Sequence, residues 1–186
     1  KDLIKVLTGI RRSGKSVMLE LIKEELCSSG IDSGQFISIN FENMSNAHLC
    51  TAAALHDEIV HRASESQGKV YLFFDEIQEV DSWEKCINSL RVELDCDIYI
   101  TGSNAKLLSG ELATYLAGRY VEFVIYPFSF GEFVELYHTI CPDADLHQCF
   151  SKYLTAGGMP YLANLCYEET ACHLYLHDLF NSVELK

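Results

Sequence analysis

Apolar and polar positions along this chain switch between a period of two and a period near 3.6. Leu3-Ile4-Lys5-Val6-Leu7 is a short β-rich run, and Val17 to Leu26 carries apolar residues at helical spacing without Gly or Pro. Gln35 to Asn43 alternates apolar and polar residues, the mark of a second strand, and Ala47 to about Ala63 reads as a helix bearing Leu49, Ala52, Ala53, Ile59 and Val60. Val70-Tyr71-Leu72-Phe73-Phe74 is continuously apolar, which predicts a central parallel strand buried on both faces. Trp83, Ile87, Leu90 and Leu94 share one face of a third predicted helix, and Asp97 to Ile100 predicts a fourth strand ending in Thr101-Gly102-Ser103-Asn104. A helix over Lys106 to Leu116, softened at Gly110, leads to a fifth strand, Tyr120 to Tyr126. From Pro127 onward the pattern is helical only, with segments opening near Phe128, Leu146, Tyr161 and Glu169. Alternation of strand and helix followed by helices alone predicts an α/β core over residues 1–126 and a small helical lid over 127–186.

The polar positions concentrate at strand ends. Gly9-Ile10-Arg11-Arg12-Ser13-Gly14-Lys15-Ser16 fits G-x-x-x-x-G-K-[ST], the Walker A phosphate-binding loop, and lies between the first strand and the first helix. Glycines at both ends let the backbone curl so that successive N–H groups point inward at phosphates. The helix opening at Val17 adds its positive dipole end, Lys15 adds a mobile charge, and the Ser16 hydroxyl completes the shell of a Mg²⁺ ion. Asp75-Glu76 ends the central apolar strand, where ligands bind in open α/β sheets, and makes a Walker B pair. In that pattern Asp75 supports the metal, largely through water, and Glu76 orients and deprotonates the water that attacks the γ-phosphate.

Composition narrows the picture. With 186 residues, 48% of them hydrophobic, the chain can build one substantial core with a small subdomain attached. A formal net charge of −13 makes this portion a poor non-specific binder of nucleic acid. Eight cysteines without a C-x-x-C, beside a phosphate loop that works where ATP is, point to free thiols in a reducing cytoplasm. No apolar run reaches the length of a membrane span. The chain starts at Lys1 and stops within a helical pattern, as a fragment of a longer protein would.

Further polar positions carry two readings each. Asn40 and Asn43, near the end of the second strand, suit either a hydrogen bond to a catalytic carboxylate or ordinary turn chemistry. Ser103 or Asn104 either senses the γ-phosphate or caps the following helix. Arg119 is a candidate arginine finger, in cis or in trans, or a surface ion pair. Gly157-Gly158-Met159-Pro160 either brings backbone against the adenine or makes an interhelical turn. His173 and His177, one helical turn apart beside Cys172 and Asp178, have metal-compatible spacing without a second ligand cluster.

These motifs, in this order, resemble an AAA+ ATPase. More narrowly the chain is similar to bacterial and archaeal AAA proteins with a G-[IV]-R-R-S-G-K-S loop and a C-terminal domain of unknown function. The matching stretches are Gly9 to Ser16, Phe73 to Gln78, Thr101-Gly102-Ser103, Leu116 to Arg119, Pro127 to Phe133 and Gly157 to Pro160. The resemblance implies a P-loop NTPase three-layer sandwich with strand order 5-1-4-3-2. It also implies Mg²⁺-dependent ATP binding and hydrolysis and a place for Arg119 near a γ-phosphate. Nucleotide contacts would come from Gly9, Ile10, Arg11, Arg12, Ser13, Gly14, Lys15, Ser16, Val17 and Pro160, with Mg²⁺ on Ser16 and Asp75. Catalysis would fall to Glu76 and Lys15 with Ser103, Asn104 and Arg119. Tyr161 stands where many AAA+ proteins place a lid arginine. ATP and ADP are the expected partners; a homo-oligomer is compatible, DNA enters only through the absent C-terminal domain, and no membrane is involved. The rival readings are a slow ATP-dependent switch and a small-molecule kinase, the latter disfavoured by the Asp75-Glu76 pair on a buried strand.

Overall fold

The computed structural model describes residues 3–102 and 116–184. Its contacts divide the chain into two compact units, Lys1–Gly9 with Lys15–Val124, and Ile10–Gly14 with Ile125–Lys186.

The first unit holds a five-stranded parallel sheet: β1 (Ile4–Thr8), β2 (Phe36–Asn40), β3 (Val70–Asp75), β4 (Cys96–Thr101) and β5 (Tyr120–Val124). The spatial order is β2-β3-β4-β1-β5, which is the expected 5-1-4-3-2 read from the other edge. Helix α1 (Lys15–Ser28) follows β1, α2 (Ala52–Glu65) follows β2, and α3 (Trp83–Glu93) follows β3. Strand alternation sorts the layers. Ile4, Val6, Ile37, Ile39, Leu72, Phe74, Ile98 and Ile100 join Leu55 and Ile59 of α2 and Ile87 and Leu90 of α3 in one core. The opposite face carries Phe36, Phe73 and Tyr99, and α1 lies there: Lys23 Nζ sits 5.5 Å from the Phe73 ring centroid and donates to Ser38 Oγ at 3.2 Å. Phe73 and Phe74, neighbours pointing to opposite faces, are both 0% exposed, as a central strand requires.

The second helix begins later than its apolar pattern suggests. Met44–Leu49 is a 3-10 turn capped by the Asn43 side chain, and Thr51 Oγ1 accepts from Ala54 N to start α2. Asn43 thus serves as a cap. Local side-chain acceptors for otherwise unpaired N–H groups fixed the boundary, not hydrophobic spacing.

The second unit contains α4 (Phe130–Ile140), α5 (Leu146–Ala156), a 3-10 turn (Pro160–Leu165) and α6 (Glu169–Glu184). Its core is aromatic. Phe133, fully buried, packs against the rings of Tyr137, Tyr153 and Tyr167 at centroid distances of 5.3, 5.2 and 5.2 Å. Burial pushes the Tyr167 hydroxyl up to about 12. Ser129 and Glu132 form a capping box at the start of α4, and Asp145 with Gln148 forms one at α5. Hydrogen bonds from the Ser129 hydroxyl and N–H hold the Glu132 carboxyl below the usual range.

The glycine pair has a packing role in this unit. A Cβ on Gly158 would lie 2.1 Å from Phe128 O, while Phe128 N donates to Gly158 O at 2.7 Å and Tyr153 Oη donates to Phe128 O at 3.0 Å. The Pro127–Phe133 and Gly157–Pro160 motifs are therefore two sides of one backbone contact.

Candidate functional site

The parallel sheet gathers polar residues from separate strands along its C-terminal edge. Register places Asn40 beside Asp75 and Thr101 beside Leu7, so the ends of β2, β3, β4 and β1 line up. Asp75 is 6% exposed, and both of its carboxylate oxygens are held. The Thr101 hydroxyl donates to Oδ1, and Asn40 Nδ2 donates to Oδ2 at 3.0 Å. Both readings of Asn40 hold at once: its Nδ2 meets the Asp75 carboxylate, and its Oδ1 accepts from Glu42 N at 2.8 Å in a local turn. Ser16, at the start of α1, and Asp75 line one cleft of about 220 Å³ together with Ser38 and Asn40. The two residues with the chemistry of Mg²⁺ ligands, a hydroxyl and a carboxylate, thus face one space.

Glu76 follows in a left-handed conformation, φ 55° and ψ 48°, which a non-glycine residue adopts only when its surroundings impose it. Its N–H donates to Thr101 Oγ1 at 3.1 Å, and its carboxylate accepts from Gln78 Nε2. Thr101, 0% exposed, therefore joins the Asp75 carboxylate to the Glu76 backbone. Sequence reading gave Thr101 no role, because a threonine ending a strand is common; its position one residue before a Gly-Ser step was the available signal. Thr101→Val keeps the shape and removes the hydroxyl. The expected result is a fall of about tenfold in any Mg²⁺-dependent turnover, with the fold intact by circular dichroism. Unchanged turnover would leave Thr101 a packing residue.

Lys15, 6% exposed, folds back so that Nζ donates to Gly9 O at 3.2 Å. Gly9 has φ 147° and Gly14 φ 102°, both in the region that favours glycine. Residues 10–14 belong to the second unit. There Ser13 N donates to Ile10 O at 3.2 Å, and Pro160 Cγ stands 4.0 Å from where a Gly14 Cβ would be. Ser13 is 3% exposed, yet its hydroxyl has no hydrogen-bond partner among the described residues. An orphaned buried hydroxyl inside a loop of this kind suits an anionic oxygen. Ile10, Arg11, Arg12 and Val17 are exposed.

Ser103 and Asn104 lie outside the described residues, as does the helix expected from Lys106. Arg119 is placed at the opposite edge of the sheet: it precedes Tyr120, which pairs with Ile4, and Ile4 N donates to Arg119 O at 2.9 Å. The length of β1, about 13 Å at ~3.3 Å per residue, separates that edge from Gly9, and Arg119 Nη1 donates to Asn88 Oδ1 at 2.8 Å. The Arg119 backbone therefore lies at the end of the sheet away from Gly9. Among the described residues no group of three or more His, Cys, Asp or Glu side chains is arranged to hold a metal, and His177 contacts Asn181 instead.

A family model described as "AAA domain" matches residues 1–134, most of the chain and all of the sheet. The chain belongs to the AAA domain family. That membership brings nucleotide-binding, ATPase-type function. The AAA chain is 41% identical over 184 residues to an uncharacterized protein of Haemophilus influenzae, covering 99% of this chain and 46% of that one. It is 35% identical over 166 residues to an uncharacterized protein of Methanocaldococcus jannaschii, covering 84% of this chain and 35% of the other. The chain thus spans less than half the length of either relative. Among solved structures it is similar to the Aeropyrum pernix ORC1 protein in complex with DNA, with TM-score 0.49 and 14% identity over 95% of this chain and 60% of that one. Among the described residues no helix is long and apolar enough to cross a membrane.

Proposed function

We propose that this AAA domain binds ATP with Mg²⁺ and hydrolyses it, and that hydrolysis drives a conformational change. The observation that carries the reading is the shared cleft of Ser16 and Asp75, with Asp75 aimed by Thr101 and Asn40. A divalent ion on Ser16 and Asp75 would neutralise the β- and γ-phosphates and polarise the bond between them. Lys15 would exchange its hold on Gly9 O for phosphate oxygens, and Ser13 Oγ would gain its missing partner. Glu76 would take the proton of the attacking water, held in place by its backbone bond to Thr101. Residues 1–126 form the ATPase core in this reading and 127–186 the lid, with Pro160 near the nucleotide.

Arg119 is proposed to act in trans. Lying at the sheet end away from its own phosphate loop, it would exchange its bond to Asn88 for the nucleotide of a neighbouring copy in a homo-oligomer. DNA remains a proposed partner only through segments the longer relatives contain. A slow switch is the second reading, favoured by Gln78 holding the Glu76 carboxylate.

The test is ATP binding and phosphate release by the protein with and without a Mg²⁺ chelator, beside Lys15→Ala. Losing the charged contacts of Lys15 should weaken ATP binding about tenfold to a hundredfold, and chelation should stop phosphate release. Equal ATP binding by Lys15→Ala would remove the phosphate loop from the account.

A further inference from the structure

Two contacts tie the phosphate-loop residues to the helical unit in which they are grouped. One is the approach of Pro160, whose Cγ lies 4.0 Å from where a Cβ on Gly14 would stand. The other is Arg12, whose guanidinium carbon lies 5.4 Å from the ring centroid of Tyr175 on α6. Arg12 has φ 65°, a left-handed conformation that L-residues adopt only where their surroundings hold it. The Tyr175 ring is itself fixed by Tyr161, stacked at 5.1 Å and 30°. Tyr161 follows Pro160 directly, so the ring pair under Arg12 is joined in sequence to the proline that approaches Gly14.

We propose that Arg12 on the Tyr175–Tyr161 pair is the element that couples phosphate binding to the lid, with the cation supplied by the loop and the acceptor by the lid. This rests on the nucleotide reading above and adds two positioning residues, Tyr175 and Tyr161, to it. The arrangement inverts the one in which a lid arginine reaches toward phosphate, and it accounts for a tyrosine after Pro160. The ring pair preorganises the loop: it holds the strained Arg12 backbone, and through it the Gly14 turn, in one conformation before the phosphates arrive. By reciprocity, phosphates that settle the loop also settle α6.

The experiment is a double-mutant cycle on MgATP affinity with Arg12→Gln and Tyr175→Leu, beside Tyr175→Phe. A cation–π contact at an exposed site predicts about a two- to fivefold weakening for each single change. The double variant should be no weaker than the worse single one, and Tyr175→Phe should match the wild type. Hydrogen exchange across Glu169–Glu184 should slow on adding MgATP to the wild type and change less in Tyr175→Leu. Additive losses, tighter binding by either variant, or a Tyr175→Phe as weak as Tyr175→Leu each overturn the coupling. If Tyr175→Leu fails to fold, exposed Arg12 carries the test: Arg12→Lys should bind more tightly than Arg12→Gln, and equal affinities would end the proposal. A wild type that binds MgATP while its variants bind equally well defeats the coupling alone; a wild type that binds none defeats the nucleotide reading with it.

Discussion

Glu76→Gln is expected to lower ATP turnover by about 10²-fold or more while leaving MgATP affinity nearly unchanged. Gln has the size of Glu and can still accept from Gln78 Nε2, and the left-handed backbone held by Thr101 is not disturbed. What disappears is the ability to take a proton. Phosphate release and nucleotide titration, run side by side on both proteins, separate the two effects. Equal turnover would move the base to another residue. Loss of binding would mean that the variant perturbs Asp75 through Thr101.

Gly158→Ala should destabilise the helical unit by about 3 kcal/mol or more, among the larger effects of a single added methyl. The new Cβ would meet Phe128 O at 2.1 Å and Phe128 C and N at 3.0 Å, all backbone atoms. Relief would need the Phe128 N–H to Gly158 O bond to open, and with it the Tyr153 anchor. Gly131→Ala is the control. Among the described residues nothing lies within 4 Å of its Cβ position, and Ala favours α4 by up to about 1 kcal/mol. Denaturant unfolding followed by circular dichroism should rank Gly158→Ala well below wild type and Gly131→Ala at or above it. Wild-type stability in Gly158→Ala would show that this backbone contact yields easily.

Local signals carried much of the architecture. The apolar run of β3 required a strand covered on both faces, and Phe73 and Phe74 are both buried. The strand-loop-helix around Gly9 to Ser16 was legible because a phosphate loop needs glycine at fixed backbone positions and a cation and hydroxyl at fixed offsets, all within one turn of chain. Helix starts were less legible. Thr51 and Asn43 redirected α2 through caps that hydrophobic spacing does not encode.

By itself, then, the sequence determined the order of the five strands, the α/β class and the glycine-rich strand-loop-helix with a carboxylate pair ending β3, since each follows from periodicity or from chemistry among near neighbours. Only the tertiary structure decided which polar residues those carboxylates meet. Thr101 and Asn40 reach Asp75 across 26 and 35 residues of chain because parallel register aligns strand ends that the sequence keeps apart. The same register sends Arg119 to the other end of the sheet, since the residue before a parallel strand lies beside the start of its neighbour and away from the residue that follows it. Gly158 against Phe128, and Arg12 over Tyr175, depend on how helices pack, and packing is fixed by many weak contacts at once rather than by any motif.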